Sequence, residues 1–259
     1  YYLSREQYRG LQKHFENIEL RKIMEDQMFL DCFGCDIDYS LGKNFADFAD
    51  QFSKDSRYRT ELYKLRRKFM SHADGLIHAD LHTSNIMASR DKMQVIDMEF
   101  AFMGPFGYDL GYLVGNLISQ YCAACFKRFP SEQNRKQFKA YLLATIKSLI
   151  ETYMKTFTLC WEKSVKERYR GQQGLLQSIL QEVMEDVPGY ASMVNWFRSV
   201  SEIPYPDFDI IEDKDAKRNA TVLSLMIDWG IMFGRYKYQS ADDLIETIIG
   251  IEEEFRKSL

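Results

Sequence analysis

Residues 76–111 carry a set of side chains whose types and spacing could do chemistry together. His78 stands two residues before Asp80, Asn85 five after it, Asp97 and Glu99 begin 17 residues further on than Asp80, and Asp109 closes the run. A hydroxyl that is to be phosphorylated needs a carboxylate to orient it and to accept its proton, which Asp80 could do. An amide oxygen at Asn85 could reach a magnesium ion carried on nucleotide phosphates. If 95–99 is extended, residues i and i+2 point to one side, so Asp97 and Glu99 would project together. Two hard oxygen donors side by side suit Mg²⁺. Taken singly, His-x-Asp is a common accident and Asp-x-Glu is commonly a solvated strand end. In this order, with apolar β-type runs at 76–78, 86–88 and 93–96 leading into the acids, they read as the catalytic and metal-binding centre of a phosphotransferase.

The remaining elements must position that centre. Tyr8, Leu11 and Phe15 recur at helical spacing and predict a helix over 4–18. The glycines and acids of 31–50 predict a loop. Leu62, Leu65, Phe69 and Met70 predict the buried face of a helix over 50–72, stopped by Ala73-Asp74-Gly75. Gly104-Pro105-Phe106-Gly107 reads as a sharp turn, after which Asp109 opens an apolar helix to about Phe126. From Ser131 onward the pattern is helical: one helix through Tyr153, two more over 172–186 and 189–200, a breaker at 203–207, then helices over 215–235 and 241–257. Ser240 and Asp243 resemble a capping box for the last one. The sum is a single, mostly α domain with a small β element carrying the site, an α+β fold.

Composition limits the function classes. The chain has 259 residues, 46% hydrophobic and 28% charged, with a net charge of −4. These values are ordinary for a globular protein and carry no nucleic-acid footprint. No run is apolar enough to predict a membrane span, and YYLSREQYRG has no signal-peptide core, so a cytoplasmic protein is expected. Cys32–Cys35 and Cys122–Cys125 are both C-x-x-C pairs, but 86 residues separate them, far from zinc-ribbon spacing. They read as reduced structural thiols, the second pair on an apolar helix.

IHADLHTSNIM and VIDMEFAFMGPFGYDLGYLVGNL resemble the catalytic loop and the metal loop of the aminoglycoside phosphotransferase and choline-kinase-like superfamily. Within it they are most similar to the 5-methylthioribose kinases. The Asp-x-Glu-Phe-Ala-Phe-x-Gly-Pro string is the more specific part. The resemblance implies a protein-kinase-like fold that uses ATP and Mg²⁺ to phosphorylate the 1-hydroxyl of 5-methylthioribose in methionine salvage. Other acceptors of the same fold, another sugar, an aminoglycoside or an amino alcohol, are the alternative, and a non-catalytic binding module the remote one. By resemblance, Asp80 is the catalytic carboxylate, Asp97, Glu99 and Asn85 hold the metal, and His78 packs under the loop. Arg235 joins Asp80 in holding substrate. Asp109 either braces the loop through its backbone N–H groups or is a plain helix-start carboxylate; the resemblance favours the brace. His82 has no assigned part beyond hydrogen bonding within the loop. Three positions depart from the methylthioribose kinase pattern: Asn85 for serine, Met98 for proline, and Gly234-Arg235 for adjacent arginines. The resemblance also implies a homodimer.

A kinase of this kind needs a glycine-rich loop over the phosphates and a strand lysine. Neither is found; Gly42-Lys43 is a lone pair. The expectation is therefore that 1–259 forms the large C-terminal lobe alone, with the N-terminal nucleotide lobe absent, and transfers little phosphate by itself.

Overall fold

The computed structural model describes residues 3–30, 50, 52, 54–200 and 205–259. The expected loop over 31–50, Gly42-Lys43, Cys32 and Cys35 fall almost wholly outside the described residues.

Two short helices open the chain, α1 (Arg5–His14) and α2 (Ile18–Glu25). The single helix predicted over 4–18 is broken because Asn17 adopts a left-handed conformation, φ 44° and ψ 49°. No residue of α1 is buried, so its apolar spacing buys no core position. The next helix, α3 (Ser56–Ser71), is capped by Asp55, which accepts from the Arg57 and Tyr58 backbone N–H groups. It buries Tyr58, Leu62, Leu65 and Phe69, whereas Met70, predicted on that face, is 41% exposed. Leu62, Leu65 and Phe69 keep the i, i+3, i+7 stripe; Met70, one further residue on, is rotated about 100° away.

The β element follows. Strand β1 (Gly75–Ile77) pairs antiparallel with β4 (Phe102–Gly104), a strand not predicted from the sequence, of which only Gly104 falls in the expected turn. Between them, β2 (Ile86–Ala88) and β3 (Met93–Val95) form a separate antiparallel hairpin in the register Ile86–Val95, Met87–Gln94, Ala88–Met93.

The rest is helical: α4 (Tyr108–Phe126), α5 (Glu132–Ser164), α6 (Gln173–Val200), α7 (Pro206–Asp209), α8 (Lys214–Gly234) and α9 (Ala241–Ser258). The box at the start of α9 is formed, with the Gln239 and Ser240 N–H groups donating to Asp243 Oδ2 at 2.8 and 2.9 Å. Helix α6 is one element where two were predicted. Pro188 lies inside it, although an interior proline removes a hydrogen bond and costs about 3 kcal/mol. Burial outweighs that cost: Val187, Tyr190, Ala191, Val194 and Trp196 are all fully buried, and Lys68 holds Asp186 at 2.9 Å. At roughly 25 cal/mol per Å², one such side chain gives about 2 kcal/mol.

Helices α4 and α6 pack closely. A Cβ at Gly115 would stand 2.5 Å from the Ala191 carbonyl oxygen, and one at Gly111 2.6 Å from Tyr190 Cβ. One apolar cluster joins α4, α5, α6, α8 and α9 through Ile118, Val187, Ile227, Leu244 and Ile248. A second, rich in aromatics (Phe29, Phe69, Phe102, Tyr108, Tyr112, Tyr190 and Trp196), lies beneath β1 and β4. Cys122 and Cys125 are free and buried within α4, as their apolar surroundings predicted. Among the described residues, no helix is long and apolar enough to cross a membrane.

Candidate active site

Asp80 follows strand β1, on a loop pinned from several sides. Ala79 before it is fully buried with φ 71°, a strained value for a residue with a Cβ. Asp109, in the first turn of α4, holds that bend. Its Oδ2 accepts from the His78 N–H at 2.6 Å and its Oδ1 from the Ala79 N–H at 2.9 Å. Burial pushes the Asp109 carboxyl up, and the two N–H bonds pull it back only in part. Of the two readings left open for Asp109, the geometry is that of the brace.

His78 is buried and works as a spacer between two backbone segments. Its Nδ1 accepts from the Asp80 N–H at 3.3 Å, so the proton sits on Nε2, which donates to the Ile96 carbonyl at 2.8 Å. This fixes a neutral tautomer and ties the Asp80 loop to the end of β3. His78 is fully engaged in structure.

The Asp80 carboxyl is half-buried. Burial would raise its pKa, but hydrogen bonds from His82 and from the Tyr112 hydroxyl hold it below the usual range. His82 Nε2 lies 3.5 Å from Asp80 Oδ2. The carboxylate is thus ionised at neutral pH and oriented. Tyr205 senses its charge too; burial, first, pushes that phenol up to about 12.

Asn85 is buried in a short 3₁₀ turn, Thr83–Asn85. Its Nδ2 donates to the Asp80 carbonyl at 3.0 Å, and its own carbonyl accepts from the Ile96 N–H at 3.0 Å. Because a carbonyl can only accept, the amide orientation is fixed, and Oδ1 is the atom presented elsewhere. Thr83 N–H donates to Asn116 Oδ1 at 2.9 Å, and Asn116 reaches Asp207, which is ion-paired with Arg198 beneath a cation–π contact to Tyr205.

The pair Asp97 and Glu99 departs from the sequence expectation. The segment is not extended there. Asp97 is left-handed, φ 66° and ψ 54°, and Met98–Phe100 is a 3₁₀ turn. Alternation of sides does not apply to such a turn, so local geometry does not put the two carboxylates on one side. Both are exposed. Among the described residues, no three His, Cys, Asp or Glu side chains gather as a metal group. Asp97, Glu99 and the Asn85 amide nevertheless offer only hard oxygens, and Mg²⁺ takes few protein ligands beside phosphate and water, so the donor chemistry fits that ion.

Arg235 lies in a different neighbourhood from the one expected. It is buried, and its guanidinium pairs with Glu61 at 3.0 Å, donates to the Glu185 carbonyl at 3.2 Å and meets the Tyr236 hydroxyl. These contacts tie α3, α6 and the end of α8 together; none of them is to the Asp80 loop.

Tyr112 and Asn116 were not singled out from the sequence. A signal was available: Asp109, Tyr112 and Asn116 fall at i, i+3 and i+7, a polar stripe on an otherwise apolar helix. Asn17 was missed as well, and no local pattern marks it.

A profile of the phosphotransferase enzyme family matches residues 37–149, which span the loop and both acids after it. The chain is 30% identical over 242 residues to the methylthioribose kinase of Geobacillus sp. (strain WCH70), covering 93% of this chain and 58% of that enzyme. It is 31% identical over 254 residues to the methylthioribose kinase of Geobacillus thermodenitrificans (96% and 61%). Methylthioribose kinase 2 of Oryza sativa subsp. japonica is 29% identical over 249 residues (92% and 58%). The chain thus spans about three fifths of the length of the curated relatives it matches, and it is similar along nearly all of its own length to methylthioribose kinases, with the phosphotransferase enzyme family matched at its candidate site.

Proposed function

We propose that residues 1–259 form the catalytic and acceptor-binding part of an ATP-dependent kinase that phosphorylates the 1-hydroxyl of 5-methylthioribose, a step of methionine salvage. The observation that carries this reading is the setting of Asp80: an ionised carboxylate, aimed by Tyr112 and His82, on a strained loop clamped by Asp109. In this reading the acceptor hydroxyl donates its hydrogen bond to Asp80. Asp80 takes the proton as the acceptor oxygen bonds to the γ-phosphorus and the bond to the ADP oxygen breaks. Asp97, Glu99 and the Asn85 Oδ1 would hold Mg²⁺, which neutralises charge on the nucleotide phosphates. His78 and Asp109 keep the loop in place. Arg235 enters as a brace of the helical framework, since its charge is already paired with Glu61. The acid linked to the loop through Asn116, Asp207, is itself neutralised by Arg198, which favours an uncharged sugar over a cationic acceptor.

The test is ADP release by the full-length protein with ATP, Mg²⁺ and 5-methylthioribose beside a panel of sugars, aminoglycosides and amino alcohols. Selective turnover of 5-methylthioribose is the expected outcome. Turnover of a cationic acceptor alone would overturn the substrate, and no phosphorylation of any acceptor would overturn the reaction.

A further inference from the structure

Asn17 stands at the corner between α1 and α2 and breaks two local rules at once. A helix-capping asparagine ordinarily has extended backbone angles and turns its side chain onto the N–H groups of its own first turn. Asn17 is left-handed instead, and its side chain makes no cap. Its backbone carbonyl still starts α2, accepting from the Arg21 N–H at 2.9 Å. The side chain is turned away, to the far end of the candidate site. Nδ2 donates to the Glu99 carbonyl at 2.7 Å and to the Ala101 carbonyl at 3.2 Å.

Both acceptors lie on the short turn that carries Glu99. That turn has a left-handed entry at Asp97 and closes with a backbone bond from the Ala101 N–H to the Met98 carbonyl at 3.1 Å. So short a segment has little stability of its own. One turn along α2, Arg21 continues the clamp. Its guanidinium lies 4.6 Å from the Phe102 ring centre and donates to the Phe69 carbonyl at 2.7 Å. The capping bond is left unmade, and the left-handed corner is a conformation that asparagine adopts more readily than most residues. Among the described residues, the bonds made with that side chain go to the backbone of the Glu99 turn.

We infer that Asn17 is a positioning residue: it holds the 98–101 turn so that Glu99 faces the metal. The metal part of this inference rests on the phosphotransferase reading above. Asn17 touches neither substrate nor ion, and it acts through the Glu99 backbone. The N-terminal helices, which bury almost nothing in α1, gain a purpose by this route.

The experiment uses the full-length protein and three variants. Asn17→Gly keeps the left-handed corner, which glycine adopts without strain, and deletes only the amide. Asn17→Asp keeps the shape and sets a carboxylate against two carbonyl oxygens. Tyr8→Phe removes a different tie of the same helices, the hydroxyl bond to the Ala73 carbonyl at 2.7 Å, and serves as the structural control. Two quantities are read: hydrogen–deuterium exchange of a peptide covering 96–104, and Mn²⁺ affinity by electron paramagnetic resonance with ADP present. In Asn17→Gly and Asn17→Asp, exchange in 96–104 should speed up while the α6 and α9 peptides stay protected. Mn²⁺ should bind about tenfold more weakly, the usual size for losing an outer-shell support. Tyr8→Phe should do neither. Unchanged exchange over 96–104 in both Asn17 variants would overturn the inference. So would equal losses in Tyr8→Phe, which would mean a general loosening. If the wild-type protein binds no Mn²⁺ with ADP, the phosphotransferase reading fails, and the exchange result alone decides whether Asn17 holds the turn.

Discussion

The site and the helical body beneath it are held together by different forces. The loops carrying Asp80, Asn85 and Glu99 are fixed by a few hydrogen bonds between distant side chains and backbone: Asp109 accepts from the His78 and Ala79 N–H groups and Asn116 from that of Thr83, while His78 donates to the Ile96 carbonyl and Asn17 to those of Glu99 and Ala101. The body formed by α4, α5, α6, α8 and α9 is fixed by apolar contact, with Ile118, Ile227, Leu244 and Ile248 fully or almost fully buried. Hydrogen bonds are directional and modest, about 1 kcal/mol each net, so they place atoms without adding much stability. Apolar burial is undirected and large in sum, so it fixes helices without aiming any one group. The molecule uses the second to build a platform and the first to aim the chemistry.

If that division holds, activity and stability should separate by region. On the proposed function, Asp80→Asn in the full-length protein should lower kcat/KM with 5-methylthioribose by about a thousandfold, the scale of a lost general base, with little change in thermal midpoint. A large fall in midpoint would show that Asp80 holds the fold and would break the comparison. Ile248→Ala, in α9, should do the reverse. An emptied core site costs about 3 kcal/mol and lowers the midpoint by several degrees, while the folded fraction keeps its kcat.

Glu252 tests the body from its polar side. Burial alone would raise this carboxyl, but Lys139, Tyr121 and Arg256 hold it down to about 2 from 4.5. The unfolded chain takes up the proton near 4.5 while the folded protein refuses it until about 2. Its contribution is therefore complete above pH 4.5 and is lost as pH falls through that window. Glu252→Gln should cost about 3 kcal/mol at neutral pH, and the gap to wild type should close on acidification. A gap that stayed constant with pH in denaturant titrations would assign the loss to packing.

The smallest effect sharpens the site. Tyr112→Phe removes one of the bonds keeping the Asp80 carboxyl low. The acid limb of the kcat/KM profile should then move to higher pH, with the maximum rate nearly unchanged. A shift toward lower pH would contradict the direction of that bond.

The legibility of the chain follows the same division. Tyr58, Leu62, Leu65 and Phe69 could be read as a buried stripe because a helix repeats its contacts every turn. The α9 cap could be read because its partners lie three residues apart. The three hairpin and sheet strands up to β3 were legible as short apolar runs, whereas β4 was not, since its pairing partner β1 lies some 27 positions away. The continuous α6 was hidden by Pro188, whose local signal burial overrides. The turn after Asp97 was hidden because one of its ties comes from Asn17, which bonds the Glu99 carbonyl 82 positions further on.

By itself, then, the sequence determined the helical platform, the order of Asp80, Asn85, Asp97 and Glu99, and the kind of chemistry such oxygens suit. Those depend on periodicity and side-chain type, which are local. Only the tertiary structure decided which atom of each group is presented. It fixed His78 as a neutral spacer and turned the Asn85 amide. It also committed Arg235 to Glu61 and gave Tyr112 and Asn17 their parts. The His78 bond to Ile96, the Arg235 pair with Glu61, the Tyr112 bond to Asp80 and the Asn17 bond to Glu99 all join residues distant in the chain, and such bonds leave no period to read.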